Sequence, residues 1–412
     1  APMATQAQAA PQPAVTYADI LEAAQRIAGR IERTPTHHSR PLSRATGLDL
    51  WVKYENQHET GAFKERGALN RVLQLKPDEK ARGVIAASAG NHAQALAHHA
   101  AAQGVPAVIV MPKATPNVKV EQTRARGAEI VLEGETFDDA FAHAMKLREA
   151  RNLVFVHPFN DAQIIAGQGT AAIEMLEDAP DLDTLVIPIG GGGLMAGMAI
   201  AAKAIKPSIS IIGVEAAMYP SFHAEGRGEK VTAHGQTIAE GIAVKQIGPL
   251  TYALARDLVE DIILVDEPTF ERAIALYISA EKTVAEGAGA AALAAVLTAP
   301  ERFKGRKTGL VLSGGNIDTR LLASVLERSM VREGRIAILR FVGDDRPGIL
   351  ATVTRIIGDQ GGNIIQVAHH RMTLDAPAKG VEFDIEIETR DGAHTREIIA
   401  ALKAAGYDAR SV

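Results

Sequence analysis

Residues 184–202 read TLVIPIGGGGLMAGMAIAA, an uncharged stretch that decides how the surrounding chain folds. The apolar run Thr184–Ile189 predicts a buried strand, the four glycines predict a turn, and the Ala- and Met-rich remainder predicts a buried helix. The stretch is as long as a membrane span, but Pro188 and the glycines would break a spanning helix, so we expect no membrane segment here. A strand that leads through glycines into a helix is the unit from which parallel α/β sheets are built.

The same alternation of strand and helix patterns extends from about residue 50 to about residue 320. Several apolar runs are continuous, which is typical of strands covered on both faces. The sequence therefore predicts an α/β, doubly wound parallel core, preceded by a helix over Tyr17–Ile31 that Thr16 caps, with Asp19 three residues on. The predicted strands are Leu50–Tyr54, Val84–Ala87, Ala107–Met111, Glu129–Leu132, Leu153–Val156, Thr184–Ile189, Ser210–Val214 and Thr308–Leu312. Helices predicted between them include Asn91–Gln103, Asn117–Arg126 and Ala162–Leu176.

After this core the pattern becomes that of a small separate domain. The order of elements over residues 336–412 is βαββαβ, the ferredoxin-like arrangement. We place the core at 16–328, with a smaller subdomain at about 53–160 inserted in it, a charged linker at 329–335 and a disordered leader at 1–15. The predicted C-terminal elements are strands Ile336–Val342, Asn363–Met372 and Gly380–Glu388, helices Pro347–Gly358 and Thr395–Ala405, and a short final strand.

Composition excludes several classes of site. The chain has 412 residues, of which 47% are hydrophobic and 23% charged, with a net charge of −5 and no cysteine. The acidic balance argues against a nucleic-acid partner. The lack of cysteine removes disulfides, zinc–thiolate sites, iron–sulfur clusters and a cysteine nucleophile, and it favours a reducing, cytoplasmic location.

Lys64 is the first candidate site residue, in the segment TGAFKERGA (Thr60–Ala68), where a glycine turn leads into a predicted helix. The helix N-terminus and the apolar neighbours Ala62 and Phe63 disfavour the charged form of its amine. A partly neutral lysine is what Schiff-base chemistry requires. The alternative interpretation is a solvated lysine in a first helical turn.

Three more turns follow predicted strands, at the strand ends where α/β proteins bind ligands. In SAGNHAQ (Ser88–Gln94), backbone N–H groups could hold a carboxylate, and the Asn91 side chain could donate or accept. In GGGGL (Gly190–Leu194), glycines let the backbone approach a phosphate at a helix N-terminus. In SGGN (Ser313–Asn316), the Ser313 hydroxyl could bond a ring nitrogen. Each turn could instead be a plain connection.

The glycine stretch also leaves a second cofactor open. Gly191-x-Gly193-x-x-Ala196 satisfies the dinucleotide fingerprint, and Glu215 ends the next strand roughly twenty residues on. An NAD-dependent oxidoreductase is therefore the alternative from another reaction class.

Other polar residues give weaker signals. Glu286-Gly-Ala-Gly-Ala is interpreted as a helix start that packs closely on its neighbours. Catalytic histidines are rare relative to structural ones, so we expect structural roles for the remaining acid–base candidates. These are His58, His92 and His157.

Five segments, taken together and in order, resemble the fold type II family of pyridoxal phosphate enzymes, and within it the threonine ammonia-lyases (threonine dehydratases) with one regulatory domain. Five ordered matches are far more specific than one glycine turn. Residues 343–350, GDDRPGIL, followed by Gly362-Asn363-Ile364, resemble an ACT domain, so the resemblance covers nearly the whole chain. It implies two doubly wound parallel subdomains, as in the tryptophan synthase β chain, plus a ferredoxin-like ACT domain. The five segments are Thr60–Ala68, Ser88–Gln94, Gly190–Leu194, Thr237–Val244 (TIAEGIAV) and Ser313–Asn316.

The resemblance implies a role for each matched residue. Lys64 would hold pyridoxal 5′-phosphate covalently and take the Cα proton of the substrate, with Phe63 beside the cofactor. Asn91 would contact the 3′-oxygen of the cofactor and Ser313 its ring nitrogen. The phosphate would be bound by the backbone of Gly190, Gly191, Gly192, Gly193 and Leu194. The substrate carboxylate would be bound by Ser88, Ala89, Gly90, Asn91 and His92.

The implied reaction is β-elimination from L-threonine, and also from L-serine, to 2-oxobutanoate or pyruvate plus ammonia, with the cofactor phosphate as the acid. Alternatives within the resemblance are lyases of 3-hydroxyaspartate or aryl-serines, and serine racemase. Ala89 stands where the racemases carry a second acid–base serine, which argues against efficient racemisation. A non-catalytic amino-acid sensor is a third class, which the intact Lys64, Asn91 and Ser313 disfavour.

The sequence differs from the family pattern at three positions, and the resemblance also implies partners. Glu240 stands where relatives usually carry aspartate, and Ala62 where many carry serine. Glu215 matches one acidic cation ligand of the racemases, but Ser221 stands at the other, so a metal site is left unassigned. The resemblance implies a homodimer or homotetramer with no membrane partner. It also implies an ACT domain that binds a branched-chain amino-acid effector, although this domain could serve only to pair subunits.

Overall fold

The computed structural model describes residues 14–231, 235–371 and 376–412. The chain divides into two compact units, one ending at Ile317 and the other beginning at Asp318. The predicted leader up to residue 13 and the predicted strand end at Met372 lie outside the described residues. Val15, which we also assigned to the leader, is instead buried against the core of the first unit, because its apolar side chain is shielded there from water.

Strands and helices alternate along the first unit as the sequence predicts. The strands are β1 (Thr36–His38), β2 (Asp49–Tyr54), β3 (Val84–Ala87), β4 (Ala107–Met111), β5 (Glu129–Leu132), β6 (Val154–Phe155), β7 (Thr184–Pro188), β8 (Ser210–Ala216), β9 (Asp261–Val265), β10 (Lys307–Leu312), β11 (Ile336–Asp344), β12 (Asn363–His370), β13 (Gly380–Glu388) and β14 (Arg410–Ser411). The helices are α1 (Tyr17–Ile27), α2 (Arg40–Thr46), α3 (Lys64–Val72), α4 (Pro77–Arg82), α5 (Asn91–Ala102), α6 (Asn117–Ala125), α7 (Phe137–Arg151), α8 (Ala162–Asp178), α9 (Gly193–Ile205), α10 (Ser221–Gly226), α11 (Pro249–Ala255), α12 (Glu267–Leu276), α13 (Ala291–Thr298), α14 (Thr319–Arg332), α15 (Ile349–Asp359) and α16 (Gly392–Ala404).

Two sheets organise the first unit. The larger has the order β1-β2-β10-β7-β8-β9 and is parallel except for β1, and the smaller has the parallel order β5-β4-β3-β6. Since β2 pairs with β10 as far as Tyr54, residues up to Tyr54 belong to the larger sheet, and the bounds of the inserted subdomain stay a prediction. The doubly wound α/β prediction is confirmed, and the carboxyl ends of β2, β3, β6, β7 and β10 precede the turns that matter below.

Caps and burial explain the local structure. Thr16 caps α1 together with Asp19 in a reciprocal capping box, as predicted, although the helix ends at Ile27 and not at Ile31. The stretch 184–202 forms the buried strand β7, a glycine turn and the buried helix α9. Within the described ranges, no helix combines the length and the apolar character of a membrane span.

Glycines bring α3, α8 and α9 into close backbone contact. A Cβ on Gly197 of α9 would lie 2.3 Å from the Ile165 carbonyl oxygen of α8. A Cβ on Gly167 of α8 would lie 2.5 Å from the Arg66 carbonyl oxygen of α3. Only glycine fits at such distances, so these contacts fix how closely α3 and α9 pack against α8.

The second unit has a four-stranded antiparallel sheet in the order β12-β13-β11-β14, with its core on the side of α15 and α16. After α14, its element order is the predicted βαββαβ. The segment that we interpreted as a linker, 329–335, is helical as far as Arg332, in α14. Asp318 caps this helix. Its side chains are mostly polar or exposed, but Val325 is buried.

Arg66, two residues after Lys64, lies in a buried network of charges. Its guanidinium donates to Glu55 and to Glu174 Oε2, the latter over 2.7 Å. Lys53 Nζ donates to Glu174 Oε1 over 2.8 Å and to the Thr34 carbonyl oxygen over 2.7 Å. Two cations therefore balance two carboxylates beneath α3.

We expect Arg66→Met to lower the free energy of unfolding by about 3–5 kcal/mol, because it leaves two buried carboxylates with one cation. Urea unfolding followed by circular dichroism measures this. The control is Arg124→Met, which removes an exposed pair with Glu121 that is worth at most about 1 kcal/mol. Equal losses in both variants would contradict the assignment.

Candidate active site

Lys64 is the first residue of α3 and points toward the segment that follows β6. Its Nζ donates to the Pro158 carbonyl oxygen over 2.9 Å and lies 5.2 Å from the ring centre of Phe63. Burial lowers the pKa of Lys64 to about 8, and the charge of Glu286 opposes this shift. A larger fraction of this amine is therefore unprotonated near neutral pH than in an ordinary lysine, and the unprotonated form is the one that acts as a nucleophile or a base.

The turn before Lys64 lies on the turn after β10. The Phe63 N–H donates to the Ser313 carbonyl oxygen over 3.0 Å, and Ala62 forms a bridge with Gly314. Ser313 is buried, with its Oγ 3.4 Å from the Ala288 carbonyl oxygen. Two of the predicted segments are thus joined directly.

Asn91 begins α5, after the turn formed by Ser88, Ala89 and Gly90. Its Nδ2 donates to Glu286 Oε1 over 2.6 Å, and its Oδ1 accepts from Asn316 Nδ2 over 2.8 Å. The turn leaves Gly90 exposed, so backbone N–H groups at the start of a 12-residue helix are accessible to an anion.

Each of the three candidate histidines contacts a polar group of the protein. His92 is buried, its Nε2 lies 2.9 Å from the Val156 carbonyl oxygen, and burial lowers its pKa to about 3. The His92 ring therefore contacts the strand-end backbone at Val156, and only the backbone of His92 belongs to the Ser88–His92 turn. The Nδ1 of His157 accepts from the Asn160 N–H over 2.8 Å, and burial lowers its pKa to about 4. His58 is buried with its Nε2 3.2 Å from the Glu55 carboxylate.

The glycine turn lies against the ring of Phe159. A Cβ on Gly191 would lie 2.0 Å from that ring, and Gly192 has a φ of +96°, so both positions require glycine. Thr251 Oγ1 donates to the Gly191 carbonyl oxygen over 2.6 Å and holds the turn from the side of α11. The first N–H groups of α9, from Gly193 onward, have no partner inside the helix and are suited to an anion.

The ends of this turn are fixed by packing. A Cβ on Gly190 would lie 3.0 Å from the Gly241 carbonyl oxygen, so the segment Thr237–Val244 lies against it. Leu194 is buried in the core of the larger sheet. Within Thr237–Val244, Glu240 accepts from Lys119 of α6 over 2.6 Å, which joins the smaller subdomain to the glycine turn.

Sequence reasoning missed Glu286 as a site residue. Its carboxylate accepts from Asn91, and a Cβ on Gly314 would lie 2.2 Å from its Oε1. Burial raises its pKa to about 7, although the Asn91 bond opposes this. The Gly-Ala-Gly-Ala run does pack closely, but against the Gly314 carbonyl oxygen, and α13 begins only at Ala291. Glu286 lies in the irregular segment between the π-helical turn and α13, so no motif or strand end in the sequence indicated that it belongs to the candidate site.

Phe159 and Pro158 were missed as well, although their position after a predicted strand indicated a ligand-binding turn. They follow the strand β6, whose carboxyl end lies at the same edge of the smaller sheet as that of β3. Position after a parallel strand, which identified the other turns, would have identified this one.

Comparison with known proteins identifies the first unit. Residues 27–314 match the family of pyridoxal-phosphate dependent enzymes. The chain belongs to the pyridoxal-phosphate dependent enzyme family. Residues 337–404 match the ACT domain, as the resemblance implied.

Relatives cover nearly all of the chain. It is 41% identical over 401 residues, 97% of its length and 100% of the relative's, to an L-threonine ammonia-lyase of Thermotoga maritima. Among solved structures, a processed threonine deaminase isoform 2 of Solanum lycopersicum is 32% identical with a TM-score of 0.72, covering 79% of this chain and 94% of that one. A maize serine racemase is 34% identical with a TM-score of 0.72, covering 78% of this chain and 99% of that one.

Membership in this family settles the cofactor, and the oxidoreductase alternative is wrong. Glu215, which that alternative needed for a ribose, is fully buried and accepts from the N–H groups of Phe222 and His223 over 2.8 and 2.9 Å. Burial raises its pKa to about 7. Ser221 donates to the Val244 carbonyl oxygen.

We expect Gly191→Ala to weaken retention of pyridoxal phosphate at least about tenfold, the equivalent of about 1.4 kcal/mol, because the new methyl group must displace Phe159. Titration of the cofactor-stripped chain, followed by absorbance, gives the dissociation constant. Gly358→Ala is the matched control, since a Cβ there meets nothing within 4 Å. An unchanged dissociation constant for Gly191→Ala would show that the turn is not the cradle.

Proposed function

We propose that this enzyme removes the β-hydroxyl and amino groups of L-threonine, and of L-serine, to give 2-oxobutanoate or pyruvate plus ammonia. The observation that carries the proposal is Lys64, an amine with a lowered pKa between the turns that end β2, β3, β6 and β10. The name of the Thermotoga maritima relative, identical at 41% of positions, supports threonine as the substrate.

The residues present fit pyridoxal phosphate. Lys64 offers the amine that its aldehyde requires, and Phe63 adjoins that amine. The backbone of Gly190–Leu194 offers a glycine-lined helix start to its phosphate. Ser313 would offer a hydroxyl, and not a carboxylate, to its ring nitrogen, which would leave that nitrogen largely unprotonated and suit β-elimination.

When bound, pyridoxal phosphate supplies the electron sink for the substrate Cα and, through its phosphate, an acid for the leaving hydroxyl. The backbone of Ser88–His92 at the start of α5 binds the substrate carboxylate and so fixes the Cα–H bond. The Lys64 amine would take the Cα proton, and burial, which lowers its pKa to about 8, leaves more of it unprotonated than in an ordinary lysine. Asn91 would hold the 3′-oxygen of the cofactor.

The second unit supports regulation by an amino acid. The segment 343–350 leads into α15, and Gly348 caps this helix with a φ of +87°. We assign a branched-chain amino-acid effector to this domain, and a homodimer or homotetramer in the cytoplasm to the whole chain. The match of residues 337–404 to the ACT domain supports an amino-acid effector.

The lowered pKa of Lys64 predicts a pH dependence of defined sign. Only the neutral amine attacks an aldehyde, so capture of pyridoxal phosphate by the cofactor-stripped chain should accelerate with pH and level off above about 8. A lysine at its ordinary pKa would continue to accelerate to beyond about pH 10. Stopped-flow absorbance from about pH 6 to 10 measures this, with N-acetyl-lysine as the control for titration of the cofactor itself. A midpoint near that of N-acetyl-lysine would contradict the shift.

We expect Lys64→Ala to abolish 2-oxo acid formation from threonine and serine, while Lys146→Ala, an exposed lysine of α7, leaves it unchanged. A 2-oxo acid assay over threonine, serine, 3-hydroxyaspartate and an aryl-serine measures both. Since one methyl group shifts selectivity by only about 1–3 kcal/mol, serine and threonine should both react.

Isoleucine or valine should change the rate in the full-length enzyme. No product from threonine would contradict the proposal, and no effect of either amino acid would leave the ACT domain a role in pairing alone.

A further inference from the structure

A chain of hydrogen bonds runs from the turn before Lys64 to Glu286. Asn316 Nδ2 lies 2.6 Å from the Thr60 carbonyl oxygen and 2.8 Å from Asn91 Oδ1. Asn91 Nδ2 lies 2.6 Å from Glu286 Oε1. These hydrogen bonds therefore join the turns that precede α3, α5 and α13 to the turn that follows β10.

The direction of these bonds follows from the Thr60 end. A carbonyl oxygen can only accept, so Asn316 must turn its nitrogen toward Thr60. That nitrogen has a second hydrogen, which it donates to Asn91 Oδ1. Asn91 is then left with its nitrogen facing Glu286, whose oxygen accepts. The orientation of both amides is thus set by their partners, which resolves the usual ambiguity between amide oxygen and nitrogen.

We infer that Asn316 and Glu286 are positioning residues that hold the Asn91 amide in a single orientation, with its nitrogen available to the 3′-oxygen of pyridoxal phosphate. This inference rests on the proposed role of Asn91. An amide nitrogen carries two hydrogens, and the bond to Glu286 uses one, so the other can be donated to the cofactor. A reversed amide would turn an oxygen toward the cofactor oxygen, which is repulsive.

Glycines keep both positioning residues in place. A Cβ on Gly314 would lie 2.2 Å from Glu286 Oε1, and the Glu286 N–H donates to the Gly314 carbonyl oxygen over 3.1 Å. A Cβ on Gly61 would lie 2.4 Å from Asn316 Oδ1, and Gly61 has a φ of +81°. Each side chain thus packs directly on backbone where no other residue would fit.

Substitutions at residue 316 separate orientation from shape. Asn316→Asp keeps the shape of the side chain but removes both donated hydrogens, so Asn91 must either lose this partner or reverse its amide. Asn316→Ala removes the side chain and leaves the Asn91–Glu286 bond intact. We expect the dissociation constant for pyridoxal phosphate to rise at least about tenfold in Asn316→Asp, which corresponds to about 1.4 kcal/mol. The rise in Asn316→Ala should be clearly smaller.

The measurement is an absorbance titration of the cofactor-stripped full-length chain, with the position of the visible band of the bound cofactor as a second readout. Asn152→Asp, at an exposed helix end, is the control for an added carboxylate. If residue 316 only fills space, the order reverses: Asn316→Ala then binds pyridoxal phosphate less tightly than Asn316→Asp. That order would overturn the inference. Unchanged affinity and an unchanged band in Asn316→Asp would overturn it as well.

Glu286 is tested by rescue. Glu286→Gln retains an oxygen that can accept from Asn91, whereas Glu286→Ala does not, so the dissociation constant of Glu286→Gln should lie closer to that of the wild type. Equal losses in the two variants would overturn the role of the acceptor. A wild-type chain that binds the cofactor but forms no 2-oxo acid would contradict the proposed function, while the order of affinities would still decide this inference.

Discussion

The close approach of three helix backbones is the constraint on which the site depends. Helix α8 contacts α3 on one side and α9 on the other, and glycines occupy the contact points. Lys64 begins α3, and the glycine turn leads into α9. A larger residue at Gly167 or Gly197 would separate these helices, and with them the amine and the glycine turn, even though neither glycine is part of the candidate site.

Electrostatics acts in opposite directions on the two groups that matter most. Burial disfavours the charged forms of both Lys64 and Glu286, which lowers the pKa of one and raises that of the other. Each also stabilises the opposite charge of its neighbour. The site therefore holds two groups that titrate close together near neutral pH, a setting in which small changes in surroundings move a proton.

The fold was predictable from the sequence wherever burial on both faces left a continuous apolar run. The bounds of β3, β4 and β5 match the prediction to the residue. Two strands were missed: β1 has only three residues, two of them exposed histidines, and β9 is an edge strand between acidic residues. The charged end of α14 was taken for a linker because one buried residue, Val325, gives too weak a period.

The turns of the site were predictable for a geometric reason, since parallel strands bring their carboxyl ends to one edge. The structure brings the turns containing Lys64, Asn91 and Ser313 together, and their chemical roles stay proposals. Glu286 was not predictable, because it lies in an irregular segment whose position depends on contacts with Gly314 and Asn91. Such a residue becomes visible only when distant segments are placed side by side.

The position of β10 has a consequence for the order of events during synthesis. This strand lies between β2 and β7 in the larger sheet, yet it is the last strand of the first unit to leave the ribosome. Until residues 307–312 emerge, β2 has no parallel neighbour, and the turn that supports Ala62 and Phe63 is missing. A nascent chain therefore completes its candidate active site only when translation has reached the boundary with the second unit.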